Sequence, residues 1–386
     1  MSQTFTFFLV GGFDGHGSSS TVARARELKI SLSNVIVKYP DTSPEGTPKL
    51  LYSMSLYNAK IELIDIAINV KNPIEWQRLM NIIAQNNEVV IYDHHESNLR
   101  LLQYVPNNVK LVQFDNTVKM AQALVQSEDN LSIAYIGSFT DRDPAIASVI
   151  PPESREFNEY YTLANVYDVL IRQNLQQSVT GLYSEGLEYL RRMATQVEYP
   201  PAKLARQVAV QRRDNIIFAD VLGTNLGQWV WKTIDYLLWQ SSADYAVIAT
   251  KVLDRQINAE VPVVFVVKYW LSSAQNPLPI VRSIIGNRKV IGHEEAFSVS
   301  ATSEQDALQL AEQIVSALES QYSSTATAIG TSTVAKAVQS DFQKILARLT
   351  EILDEQRKMY QEYLELKRQQ VELLKQSSEE QRRRYD

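Results

Sequence analysis

The sequence predicts an α/β protein in four parts: a doubly wound domain on a mostly parallel sheet, a helical connector, a smaller α/β unit and a C-terminal coiled-coil helix. Three observations lead there. Up to about residue 145, apolar runs of strand length alternate with helical patterns, as expected of a parallel sheet covered on both faces. A second alternation of strands and helices begins near residue 206. After Thr333 the composition shifts abruptly to Glu, Lys, Arg, Gln and Leu.

In the first part, residues 1–150, the candidate strands are Thr4–Val10, Val35–Tyr39, Ile61–Ile68, Glu88–Tyr92, Lys110–Phe114 and Leu131–Ile136. Ser20–Leu28, Pro73–Ala84 and Thr117–Val125 read as helices between them. Asp14, Asp65, Asp93 and Asp141 each fall inside or just beyond the carboxyl half of a strand. Four acidic side chains are therefore expected at one sheet edge, where open α/β sheets place ligands.

Residues 151–205 read as the connector, most helical over Glu156–Arg172 and Tyr183–Gln196 and closed by the turn-like Tyr199-Pro200-Pro201. The second unit, residues 206–322, has strands near Asn215–Val221, Tyr245–Val252 and Pro262–Tyr269 and a helix at Glu304–Leu318. Ser323–Thr333, rich in Ser, Thr and Ala, predicts a linker over residues 323–334. In residues 335–386, Ile345, Leu349, Ile352, Gln356, Met359, Tyr363, Leu366, Gln370 and Leu373 recur with spacings of four and three, the seam of a coiled coil. Gln356 and Gln370 fall at a positions, where polar groups weaken packing but fix register or partner. Residues 341–386 hold ten basic and ten acidic residues, which favours self-association or a protein partner over a nucleic-acid tail, the Arg382-Arg383-Arg384 cluster notwithstanding.

Composition narrows the functional classes. With 45% hydrophobic and 21% charged residues over 386 positions, the chain is ordinary globular protein. Its net charge of −6 gives no overall attraction for nucleic acid, so phosphate-backbone binding would need a local basic groove, for which Arg24, Arg26, Arg212, Arg213 and Arg282 are candidates. The absence of cysteine excludes a disulfide framework, a thiolate zinc site and a cysteine nucleophile, and fits a cytoplasmic protein. Met1–Val10 lacks a signal peptide's basic start, and no apolar run approaches the ~20 residues that span a bilayer, so no membrane role is expected. No Walker loop or dinucleotide fingerprint occurs.

The four histidines are confined to three polar motifs: Gly12-Phe13-Asp14-Gly15-His16-Gly17-Ser18, Tyr92-Asp93-His94-His95-Glu96 and Gly292-His293-Glu294-Glu295-Ala296. A residue type so scarce and so placed points to site chemistry. Asp93-His94-His95 after an apolar strand, an Asp-Gly turn near the amino terminus, an isolated Asp between them and another Asp about fifty residues later together resemble the DHH phosphoesterase superfamily. Arg282-Ser283 followed by Gly292-His293-Glu294-Glu295-Ala296 is similar to the signature of the DHH-associated substrate domain. The two resemblances cover roughly residues 1–322.

The resemblance implies a metal site of Asp14, Asp65, His94 and Asp141, an oxygen-rich set suited to Mn²⁺ or Mg²⁺. It implies that Asp93 orients neighbouring groups, that His95 faces the substrate phosphate, and that Arg282, Ser283 and His293 bind substrate. The implied activity is phosphodiester hydrolysis by metal-activated water, on single-stranded nucleic acid or short oligonucleotides. A pyrophosphatase fits the second-unit motifs less well.

The chain departs from the family pattern at Gly12, where members carry a further metal-binding Asp, and at Phe8, where many carry a His. That register leaves one metal, and losing the second costs on the order of a thousandfold in rate. In another register His16 replaces the missing Asp, and two ions remain. An active enzyme therefore stands beside an alternative: a catalytically reduced scaffold or nucleic-acid-binding subunit of a replication or repair complex, joined through its coiled coil.

Several residues also have plain structural readings. Asp65 can cap a helix or turn, Asp143 competes with Asp141, Arg282 can form a surface ion pair, and His293 can hold its own loop. Ser18, Ser19 and Ser20 are read as helix caps rather than anion donors.

Overall fold

The computed structural model describes residues 6–12, 14–37, 46–68, 72–224, 226–254 and 258–328. The first sheet is built by β1 (Thr6–Gly11), β2 (Val35–Val37), β3 (Ala59–Ile64), β4 (Glu88–Asp93) and β5 (Val109–Gln113). All are parallel, in the order β2-β1-β3-β4-β5. Its helices are α1 (Gly15–Glu27), α2 (Gly46–Ser53), α3 (Pro73–Ala84), α4 (Thr117–Leu124) and α5 (Glu128–Thr140). Chain direction across the sheet reverses between β1 and β3, and the crevice beyond their carboxyl ends is the expected ligand position.

The glycines after β1 allow α1 to start immediately against the strand. A Cβ on Gly17 would lie 2.7 Å from the Gly12 amide nitrogen, so that approach requires glycine. Asp14 caps the helix, accepting the Gly17 N–H at 2.6 Å. The serines expected to cap lie inside the helix instead: Ser18 bonds back to the Asp14 carbonyl and Ser19 to that of His16. On β3, Glu62 is fully buried and meets Arg24 of α1 at 2.8 Å, tying helix to sheet.

One expected strand is a helix. Leu131–Ile136 lies within α5, whose run from Ile133 to Phe139 is buried throughout in the core shared with α1 and α6 (Arg155–Glu185). A helix enclosed on all sides carries no polar stripe, so its pattern does not distinguish it from a buried strand. The signals that do are at its start, Ser127 at the cap and Glu128 and Asp129 in the first turn. Asp141 therefore sits at a helix carboxyl end, not a strand's.

After α6 come α7 (Leu187–Ala194) and α8 (Pro200–Ala205), then the second sheet: β6 (Val210–Arg213), β7 (Ile216–Asp220), β8 (Tyr245–Asp254), β9 (Ala259–Lys268), β10 (Val290–Gly292) and β11 (Ala296–Ser300). The order is β10-β11-β9-β8-β7-β6, with only β7 and β8 parallel. It carries α9 (Val230–Ser241), α10 (Pro277–Ile285) and α11 (Glu304–Ala328). Both sheets lie in one compact unit, Met1–Leu318. The last helix runs on through residues 323–328, the first half of the expected linker, where Ala and Ser continue the helix in place of a turn. The rest of that linker and the coiled-coil seam lie outside the described residues.

Candidate metal centre

The carboxyl ends of three neighbouring strands, β1, β3 and β4, deliver the site. Asp65 follows β3 directly, in a left-handed conformation at φ +57°, its N–H bonded to the Tyr92 carbonyl of β4 at 2.9 Å. Asp93 ends β4, and His94 and His95 continue from it. His16 comes from the first turn of α1, pressed by Gly137 of α5, where a Cβ would lie 2.7 Å from the His16 ring.

Asp65 is the hub. Its Oδ2 lies 2.9 Å from His16 Nδ1, and its Oδ1 lies 3.2 Å from His94 Nε2 and 3.8 Å from His95 Nδ1. Asp141 Oδ2 approaches His94 Nε2 at 3.7 Å. Ligand atoms of Asp65, Asp93, His94 and His95 all fall within 4.8 Å of one another. The His16 and His94 rings meet edge to face at 5.1 Å, and His94 stacks on His95 at 4.6 Å.

The donor set fits a hard divalent cation. Both ring nitrogens of His16 and Oδ1 of Asp65 are buried without an aligned hydrogen bond, although Asp65 is at contact distance from His16. Buried polar atoms left in that state are costly unless something else satisfies them. Carboxylates with imidazole suit Mn²⁺ or Mg²⁺.

Asp93 is fully buried and takes a supporting role. It accepts from His95 Nδ1 at 2.7 Å, from the His94 N–H at 2.9 Å and from Asn98 Nδ2. With Nδ1 engaged, His95, 44% exposed at its side chain, has its orientation set. Asn98, fully buried, also accepts the Ile68 N–H at 2.8 Å, so it ties the loop after β3 to the loop after β4. Gln113 of β5 donates to the His95 carbonyl at 3.2 Å. Neither Asn98 nor Gln113 stands out in the sequence, since each resembles any loop or strand-end amide.

Electrostatics follow from this crowding. Burial disfavours charge on His16, but the Asp65 carboxylate outweighs it and lifts its pKa to about 9. Burial likewise opposes ionised Asp65, yet His16 and His94 hold its carboxyl well below the usual range. The hydrogen bond to Asp93 carries His95 to about 9. Asp14, an exposed residue at the start of α1, is pushed up to about 6 by desolvation of its carboxylate in the crowded turn and then by the charge of Asp65 and Asp141.

A cation entering this site must displace the His16 proton, and below pH 6 that of Asp14 as well. Metal affinity should therefore rise with pH, by about tenfold per unit between pH 6 and 9 for one proton displaced. Calorimetric titration of Mn²⁺ at pH 6, 7.5 and 9 checks this, and a flat profile would remove His16 from the ligand set.

The other expected residues resolve individually. Asp143 accepts the Thr117 N–H at 2.7 Å and hydroxyl at 2.6 Å and caps the following turn, so the competition with Asp141 ends in a structural role for Asp143. Arg282 and Ser283 are exposed on α10, inside a helix rather than after a strand, and Ser283 lines a shallow groove with Glu312 and Ser316 of α11. His293 is exposed at the tip of the β10–β11 hairpin, its N–H bonded to the Ala296 carbonyl at 2.9 Å. Gly292 holds that turn at φ +129°. Among the described residues, none of these three touches the Asp-His cluster. Of the arginines considered for a groove, Arg24 is taken by Glu62, Arg26 by Asn130, Arg213 by Glu312, and Arg212 by backbone carbonyls.

No helix among the described residues is long and apolar enough to cross a membrane. No family model matches the sequence, and no curated protein matches it. Among solved structures, the chain is similar to the pGpG-specific phosphodiesterase PggH from Vibrio cholerae, with 10% identity and a TM-score of 0.48 over 81% of this chain and 99% of that one. It is similar to RecJ in complex with Mn²⁺ from Thermus thermophilus, with 12% identity and a TM-score of 0.45 over 82% of this chain and 52% of that one. CDC45 from Entamoeba histolytica gives 9% identity and a TM-score of 0.39 over 82% and 95%.

Proposed function

We propose that the chain is a divalent-cation-dependent phosphodiesterase acting on single-stranded nucleic acid or short oligonucleotides, in the cytoplasm. The observation that supports it is the convergence of His16 and His94 on Asp65, with Asp141 at His94 and unsatisfied buried atoms on His16 and Asp65. His16, Asp65, His94 and Asp141 would hold Mn²⁺ or Mg²⁺, with Asp14 beside them. A bound cation supplies charge that lowers a water's pKa and neutralises phosphate oxygens. Asp93 and Asn98 keep His95 in one orientation, so that a cationic imidazole faces the phosphate without reorganising. His293 and Arg282, on the second unit, would meet the rest of a substrate lying across both sheets.

The test is hydrolysis of labelled DNA, RNA, dinucleotide and pyrophosphate substrates by the purified chain with Mn²⁺, with metal content measured in parallel. Cleavage of an oligonucleotide that chelator abolishes and Mn²⁺ restores is expected. No cleavage of any substrate would overturn the reading.

Gly12 favours a second reading, a reduced scaffold paired through its coiled coil. Position 12 borders the site, since a Cβ there would lie 3.5 Å from Asp14 Oδ2, and it offers no ligand. Under that reading, deleting residues 335–386 changes the chain's solution mass or its partners, while metal-dependent cleavage is absent throughout.

A further inference from the structure

The turn that carries Asp141 is gripped by the second sheet's helix α9. Asp141 closes α5, its N–H on the Gly137 carbonyl at 2.9 Å, and the next residue, Arg142, adopts φ +58°. That left-handed conformation is uncommon for a long side chain, and it persists only where surroundings impose it. Here they are charged and aromatic groups from two helices. Arg142 Nε donates to Asp235 of α9 at 2.8 Å, and its Nη2 lies 2.7 Å from the same oxygen. Nη2 also donates to Asn165 of α6 at 2.7 Å, while the guanidinium lies over the Tyr161 ring at 4.6 Å. The Tyr161 hydroxyl donates to Asp235 at 2.9 Å, and both charged side chains are only 14% exposed. On the other side of Asp141, Lys232, one helical turn before Asp235, donates to the Thr140 carbonyl at 3.3 Å.

We propose that Asp235 and Lys232 are positioning residues: by holding Arg142 and Thr140 on either side of Asp141, they keep its carboxylate at His94, so that the metal site is complete only while α9 is docked. The proposal rests on the reading of Asp65, His94 and Asp141 as metal ligands. An ion pair that merely stabilised the fold could sit anywhere along the interface. This one and Lys232 bracket a single ligand from residues three apart on one helix face. A substrate that draws the second sheet onto the first would then raise metal affinity, and metal would raise substrate affinity by the same factor.

The experiment uses the full chain and its Asp235→Asn and Asp235→Glu variants. It measures Mn²⁺ affinity, amide exchange of residues 138–146 without metal, and unfolding temperature. Groups that orient metal ligands typically contribute 10–100-fold to affinity. Asp235→Asn should weaken Mn²⁺ binding by about that factor and speed exchange of the Arg142 and Asp143 amides, which bond to the Phe139 and Ser138 carbonyls. Asp235→Glu should recover most of the affinity. If Asp235→Asn lowers the unfolding temperature and speeds exchange while Mn²⁺ affinity stays within about twofold, the pair is structural and the proposal falls. Absence of Mn²⁺ binding by the unmodified chain would instead overturn the metal reading itself.

Discussion

Asp65→Asn is expected to abolish stoichiometric metal binding and to cut hydrolysis by at least about a thousandfold. Asp65 is the carboxylate that meets His16, His94 and His95, so its loss removes a ligand and disorders the set. A neutral amide can still accept one hydrogen bond, but it does not offset a buried dication. The same substitution has a consequence in the metal-free protein. His16 and Asp65 are each 3% exposed at their side chains, and removing one partner of a buried ion pair costs about 3–5 kcal/mol.

The pH dependence of that cost has a definite sign. His16 is raised from 6.5 to about 9 in the folded chain, so its contribution is fully present below pH 6.5 and is lost as pH rises through 9. In Asp65→Asn burial acts on His16 without its chief counterion, and the imidazole should titrate well below its native value. Denaturant unfolding of both proteins at pH 6 and pH 9.5 should show the stability gap widest at the lower pH. His16 followed by NMR reports the lost shift directly. An equal gap at both pH values would mean that His16 and Asp65 do not form an ion pair.

Much of this centre is legible in the sequence because short motifs follow strands. Ile61–Ile68 reads as a strand and Val89–Tyr92 as an apolar run that forms one, and an acidic residue in the carboxyl half of such a strand, Asp65, or just beyond it, Asp93, is directed to the ligand edge of a parallel sheet. Asp141 lies 3.7 Å from His94 but closes a helix where a strand end is expected, because a helix buried on every side and a buried strand share one pattern. Arg282-Ser283 is read from a two-residue match, and the local sequence, opened by Pro277, places both residues on a helix that the match alone does not indicate. Asn98 and Asp235 are invisible for a different reason. Asn98 ties in a group 30 residues away as well as its neighbour Asp93, Asp235 a group 93 residues away, and no motif marks either.

Gly12→Asp is expected to raise the bound-metal count from one to two and hydrolysis by about a thousandfold. Gly12 is not among the glycines with positive φ, and its Cβ would meet the Asp65 carbonyl at 3.3 Å, so the variant requires that backbone to give by a few tenths of an ångström. The added carboxylate would stand beside Asp14, whose pKa is already pushed up to about 6 by desolvation and by its acidic neighbours. Without metal the variant is thus less stable and protonates more readily, and with metal it binds more steeply as pH rises. Metal analysis after gel filtration, alongside steady-state cleavage of one oligonucleotide, separates the outcomes. Two ions with faster cleavage identify Gly12 as the residue that holds the natural chain to one metal. Two ions already present before the substitution would place His16 in the second set, in keeping with its contact to Asp65. A second ion without faster cleavage would mean that position 12 limits occupancy but not chemistry, and the barrier would then lie in how the second sheet presents the substrate.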